Sequence, residues 1–167
     1  NVITRVISHQ NVMYVLSLGG IDIVDPYTFN VTHVNDDAGL LKRANHLIFT
    51  DDLSAYIVAS NKLIHWSIKD NAISKVTLPA DVGPVSSISQ ITDDLLMLST
   101  ESGVYSYNYK TNDIESLLSS DSLLSTKDRR YAFIDKPGRL WISVYAEGVY
   151  IIENKKVIAH FEEQNGL

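Results

Sequence analysis

The chain has 167 residues, 45% of them hydrophobic and 20% charged, which is long enough to bury a core and too apolar for a disordered segment. A formal net charge of -6 argues against a nucleic-acid partner, because phosphate contacts require clustered Lys and Arg. With no cysteine, disulfide staples, thiolate metal sites and cysteine nucleophiles are excluded, and no apolar run approaches the roughly 20 residues of a membrane-spanning helix.

Taken in chain order, four segments superpose on a large anchor residue followed seven or eight positions later by an aliphatic one. They run from Tyr14 to Ile21, Tyr56 to Leu63, Met97 to Val104 and Trp141 to Val149. The anchors Tyr14, Tyr56, Met97 and Trp141 lie 42, 41 and 44 residues apart, a period that fits the roughly 40 to 50 residues of a four-stranded propeller blade. A helical solenoid could share that period, but the segments alternate apolar and polar residues and are rich in Val, Ile, Tyr and Thr, which is strand chemistry.

The second copy divides into strands over His46 to Thr50, Ala55 to Ser60, Leu63 to Ile68 and Ile73 to Leu78, with turns at Asp51-Asp52, Asn61-Lys62 and Asp70-Asn71. The stretch from Ile114 to Asp128 is ambiguous, since Leu117, Leu118, Leu123 and Leu124 sit among serines that could support a helical turn; it is read as a last strand plus connector. The fourth copy divides into Tyr131 to Ile134, Leu140 to Val144, Val149 to Ile152 and Val157 to Phe161. The pattern predicts an all-β fold, a β-propeller of four four-stranded antiparallel blades over about 1–37, 38–80, 81–122 and 123–163, as a fragment of a larger propeller. Stacked blades cover both faces of each sheet, so all four anchors are expected in the core.

Within the fourth copy, Asp135, Gly138, Leu140, Trp141, Ile142, Gly148 and Val149 match the pattern Asp-x-x-Gly-x-Leu-Trp-Ile-Gly-Thr followed by Gly-Leu-x-x-Tyr. On these residues the chain resembles the two-component regulator propeller repeat, with Ser143 and Val144 in place of the usual Gly and Thr. The third copy keeps Ser99, Thr100 and Gly103-Val104, and the first two keep the anchor aromatic and the rhythm. Gly39-Leu40 and Gly166-Leu167 look like the dipeptide that opens a repeat, so 164–167 is expected to begin a following blade. The resemblance implies a periplasmic or otherwise extracytoplasmic sensor propeller of a membrane-anchored protein. Its output would be a histidine kinase, diguanylate cyclase or DNA-binding domain, and in some relatives the signals are carbohydrates.

Catalytic and metal signatures are absent from the sequence: there is no His-Glu-x-x-His, no calcium loop, no Gly-x-Ser-x-Gly and no phosphate-binding glycine loop. No cofactor is therefore expected. His9, His33, His46, His65 and His160 fall at different strand positions and define no ligand set. Asp51-Asp52, Asp93-Asp94 and Asp135 recur at the turn after the first strand, where Asp accepts backbone hydrogen bonds. Arg5, Arg43, Arg129 and Arg130 lie near or on the innermost strands, where their planar forks could form a basic mouth for an anion or sugar, or could pair with neighbouring carboxylates. Tyr131, Tyr145 and Trp66 near blade edges could stack on a sugar ring or simply cover the sheet.

Three function classes follow. The first is an extracytoplasmic sensor segment that binds a small molecule such as a carbohydrate or anion and works with the rest of its propeller and a membrane-linked output domain. The second is a protein-interaction scaffold, and the third, disfavoured by the missing signatures, is a propeller lyase or hydrolase. Four blades in isolation either close as a ring or dimerise through their end faces, because an uncovered blade exposes an apolar face.

Overall fold

A computed structural model describes residues 2–51, 53–118 and 129–164, the side chains of Arg129 and Arg130 excepted. Asp52, Leu123, Leu124, Asp128 and the Gly166-Leu167 dipeptide lie outside the described residues. Among those described there are sixteen strands and no helix.

The strands form four antiparallel sheets, each of four strands in sequence order. The first holds β1 (Ile3–His9), β2 (Val12–Ser17), β3 (Gly20–Val24) and β4 (Val31–His33), and the second β5 (Ala44–Asp51), β6 (Ser54–Ala59), β7 (Lys62–Ser67) and β8 (Ala72–Lys75). The third holds β9 (Val85–Gln90), β10 (Leu95–Thr100), β11 (Val104–Asn108) and β12 (Ile114–Ser116). The fourth holds β13 (Arg129–Ile134), β14 (Leu140–Val144), β15 (Gly148–Glu153) and β16 (Lys156–Phe161). β8 stops three residues short of the expected Leu78, where Pro79 follows and brings no N–H to a ladder.

Local chemistry sets the hairpins. Gln10-Asn11, Ser60-Asn61 and Asn154-Lys155 form two-residue loops with both residues at positive φ, between 48° and 62°, the primed turn whose twist matches the flanking strands. Gly148 opens β15 at φ +97°, and a Cβ there would stand 2.0 Å from the Phe161 carbonyl oxygen, so only glycine fits. Asp135 locks the turn before β14: Oδ1 accepts the Arg139 backbone N–H at 2.8 Å, while Oδ2 accepts Arg139 Nε and Trp141 Nε1, both at 2.8 Å. The Leu53 N–H likewise donates to Asp51 Oδ1 at 2.8 Å, and Asp94 Oδ1 pairs with Lys110.

The chain divides into two compact units, residues 1–77 and 78–167. In the first, strand alternation turns Tyr14 and Leu16 of β2 toward the second sheet, where Leu47, Ala55, Ile57, Ala59, Ile64 and Trp66 complete the core. β1 abuts β5, with Thr4 Oγ1 donating to the Ala44 carbonyl at 2.5 Å, whereas β4 and β8 share no comparable contact. In the second unit, Met97 and Val104 of the third sheet and Leu118, two residues past its last strand, meet Ala132, Leu140, Ile142 and Val144 of the fourth. β9 abuts β13 there, with Ser89 Oγ donating to the Ala132 carbonyl at 3.0 Å. Sheets that touch at their first strands and part at their fourth are blades, and the fold is that of a β-propeller segment.

The anchors divide three to one. Tyr14, Tyr56 and Met97 are buried, but Trp141 is only half-buried, which corrects the expectation of four core anchors. Leu140, Ile142 and Val144 point into the interface with the third sheet, so alternation sends Trp141 to the opposite face, where it stacks on Phe133 with ring centroids 5.7 Å apart.

Candidate functional site

The polar chemistry of the first unit gathers on the abutting first strands. Arg5 lies on β1, opposite Leu16 of β2, and its Nη1 donates to Nδ1 of His46 on β5 at 3.1 Å. A guanidinium has no acceptor, so Nδ1 must be unprotonated and the neutral ring carries its proton on Nε2. His46 is buried. Loss of solvation, and secondarily the positive charge of Arg5, pull its pKa from 6.5 down to about 4.

Just before β5, Arg43 adopts a left-handed backbone with φ 58°, and its N–H donates to the Leu18 carbonyl in the β2–β3 hairpin at 3.1 Å. Such a conformation is costly for a long side chain and persists only where surrounding bonds hold it. Arg43 borders a cavity of about 340 Å³ with Thr4, Leu18, Asn45, Ser60 and Asn61. The Ser60 hydroxyl donates to the Lys42 carbonyl at 2.9 Å, which fixes the wall. Asn45 Oδ1 is buried without a hydrogen-bond partner, and among the described residues no carboxylate pairs with Arg43. A guanidinium fork at the border of such a cavity can donate to a group with anionic or hydroxyl oxygens.

The structure thus brings Arg5 and Arg43 to one pair of strands. Arg129 and Arg130 start β13, with side chains outside the described residues. Tyr131, on β13 opposite Ser143, and Tyr145, 64% exposed in the β14–β15 loop, do not line the cavity that Glu115, Leu117, Ile134, Asn154 and Lys155 border in the same unit. Of the two alternatives for Trp66 the structure has the second, a ring that covers the sheet: it is 2% exposed, packed edge-on against Tyr14, because β7 turns it with Ile64 into the core. Sequence reasoning missed His46 and Asn45; their position within three residues of Arg43 was the available signal. Among the described residues no group of His, Asp and Glu is placed to hold a metal.

No protein-family model and no curated protein matches the sequence. Solved structures do. One is named as the extracellular domain of a hybrid two component system, BT3049, from B. thetaiotaomicron: 20% identity, TM-score 0.74, 99% of this chain and 23% of that one. Another is named as the extracellular domain of a one component system, BT4673, from the same organism: 18% identity, TM-score 0.75, 95% of this chain and 22% of that one. A virginiamycin B lyase from Staphylococcus aureus matches at 12% identity and TM-score 0.65, over 90% of this chain and 52% of that one. At these identities the likeness establishes the propeller fold, and the chain spans under a quarter of the length of the first two. The repeat pattern of the fourth copy, which resembles the two-component regulator propeller, is consistent with the extracellular domains found. Among the described residues no helix is long and apolar enough to cross a membrane.

Proposed function

We propose that the chain is a segment of the extracytoplasmic sensing propeller of a signal-transduction protein, and that the Arg43 cavity contributes a ligand contact. The observation that carries the reading is the match of 95 to 99% of the chain, fold for fold, to extracellular domains of two signalling systems. The chemistry of the cavity supports it: Arg43 can donate to an anion or to sugar hydroxyl oxygens, and Thr4, Asn45, Ser60 and Asn61 line the same cavity with polar side chains. In the longer protein the ligand would favour one arrangement of the propeller, and a membrane-linked output domain would read that preference.

The test is a calorimetric titration of the chain with neutral oligosaccharides, acidic sugars and inorganic anions, repeated with Arg43→Ala. Binding by one class, weakened at least about tenfold by the substitution, is expected; loss of one charge-assisted contact corresponds to that factor. Binding that Arg43→Ala leaves intact refutes the site, and no binding by any class refutes the ligand contact.

A further inference from the structure

The third and fourth sheets leave a cleft of about 230 Å³ at the outer end of their shared core. Both walls belong to one compact unit, residues 78–167, so the chain itself completes the cleft. Strand register builds its floor. Ile134, Leu140 and Ile152 form one cross-strand row of the fourth sheet, on the face that Leu140 and Ile152 bury against the third. Leu117, which follows β12, packs against the same cluster. Glu115 of β12 stands in the row of Met97 and Ser106, and Met97 faces the fourth sheet, so Glu115 belongs to the wall on the third-sheet side. Lys155, in the β15–β16 turn, belongs to the wall on the fourth-sheet side.

A carboxylate and an ammonium thus border an apolar floor from opposite walls. Both side chains are exposed, and among the described residues neither makes an ion pair. The backbone adds a second observation. Lys155 sits at φ 62°, at the second position of its two-residue turn, where Gly or Asn is favoured. The other such hairpins, Gln10-Asn11 and Ser60-Asn61, do place Asn there. A long cation kept at that cost points to a use for its charge. Nor do opposed charges come with blade stacking as such: the cavity that meets the β7–β8 turn in the first unit is bordered by Asp36, Asp37 and Asn71, carboxylates without a cation.

We propose that this cleft binds a small zwitterion with an apolar body, an apolar α-amino acid or a dipeptide of such residues. The ligand's ammonium pairs with Glu115, its carboxylate with Lys155, and its side chain lies on Leu117, Ile134, Leu140 and Ile152. Charge-assisted contacts of opposite sign select a ligand that carries both charges, and the apolar floor favours a hydrocarbon side chain over glycine. The volume lies below the roughly 300 to 1,000 Å³ of sites for drug-sized molecules, which suits a ligand of one or two residues. The site is separate from the Arg43 cavity, and neither reading depends on the other.

The experiment is an NMR titration of the whole chain with leucine, dileucine, glycine, N-acetyl-leucine, which lacks the ammonium, and leucinamide, which lacks the carboxylate. Leucine or dileucine is expected to bind and to shift the amides of Glu115, Leu117, Ile152 and Lys155; which of the two binds tells an amino-acid site from a dipeptide site. Glycine, N-acetyl-leucine and leucinamide should each bind at least about tenfold more weakly, the factor for one charge-assisted contact. Lys155→Asn, which suits the turn, should weaken leucine by that factor and erase its advantage over leucinamide while keeping its advantage over N-acetyl-leucine. Glu115→Gln, at an exposed position, should do the reverse, and Lys155→Arg should restore binding; circular dichroism checks that each variant is folded. These reciprocal losses are ones that a merely structural role would not produce. No binding by leucine or dileucine overturns the proposal, as does equal binding of N-acetyl-leucine or leucinamide by the wild type, or wild-type affinity in Lys155→Asn or Glu115→Gln.

Discussion

Acid should weaken the first unit through one residue, His46. The imidazole is buried, and Arg5, which can only donate, occupies its Nδ1. Its pKa is near 6.5 in the unfolded chain and about 4 in the folded one, so between those values the unfolded state binds the extra proton. Stability contributed by the neutral ring is therefore complete above pH 6.5, falls as pH is lowered, and is lost as pH passes through about 4. The gap corresponds to roughly 3 kcal/mol at one pH unit per 1.36 kcal/mol, a large share of the 5–15 kcal/mol that holds an ordinary domain. The assay is urea unfolding from pH 7.5 to 4.5 for the wild type and for His46→Gln, whose amide oxygen can still accept from Arg5 but does not titrate. Carboxylates change charge in both proteins, so the difference between the two curves isolates His46. Stability of the wild type should fall more steeply, and an NMR titration should find the ring neutral at pH 5. Parallel curves, or a midpoint near 6.5, would refute the reasoning.

Two further outcomes rest on the backbone. Gly148→Ala places a methyl carbon 2.0 Å from the Phe161 carbonyl at φ +97°; urea unfolding should show a loss above ~2 kcal/mol, the strain of a left-handed residue with a clash added. Phe29 sits at φ 59° with 77% of its surface exposed, at the turn position that Asn71 and Asn112 fill in the second and third sheets. Phe29→Asn should raise stability by ~1 kcal/mol in the same assay, because Asn tolerates the left-handed region far better than an aromatic residue.

Much of the fold was legible because it is written four times. The anchor spacing gave the number of sheets, and in the second and fourth copies, where strands were assigned, the turn residues placed β14 to the residue and the others within one or two, β8 excepted. Side-chain direction was the missing quantity. In the second sheet burial does not alternate with the strand period: Ala55 through Ala59 are all buried, although successive residues point opposite ways. Trp141 was therefore expected in the core and Trp66 near a blade edge, whereas Trp66 is buried and Trp141 half-buried. The arginines were legible as a group near the first strands, whereas the partner of Arg5 stands 41 residues away on another sheet and no local pattern names it. The unsatisfied oxygen of Asn45 is likewise a property of packing.

The central claim, a ligand contact at the first strands of a sensing propeller, is tested most directly by following the calorimetric titration with amide NMR. The account predicts that the class of compound that binds shifts the signals of Thr4, Arg43, Asn45, Ser60 and Asn61 and leaves the second unit unmoved. Saturable shifts centred elsewhere, or none with any sugar or anion, would contradict it.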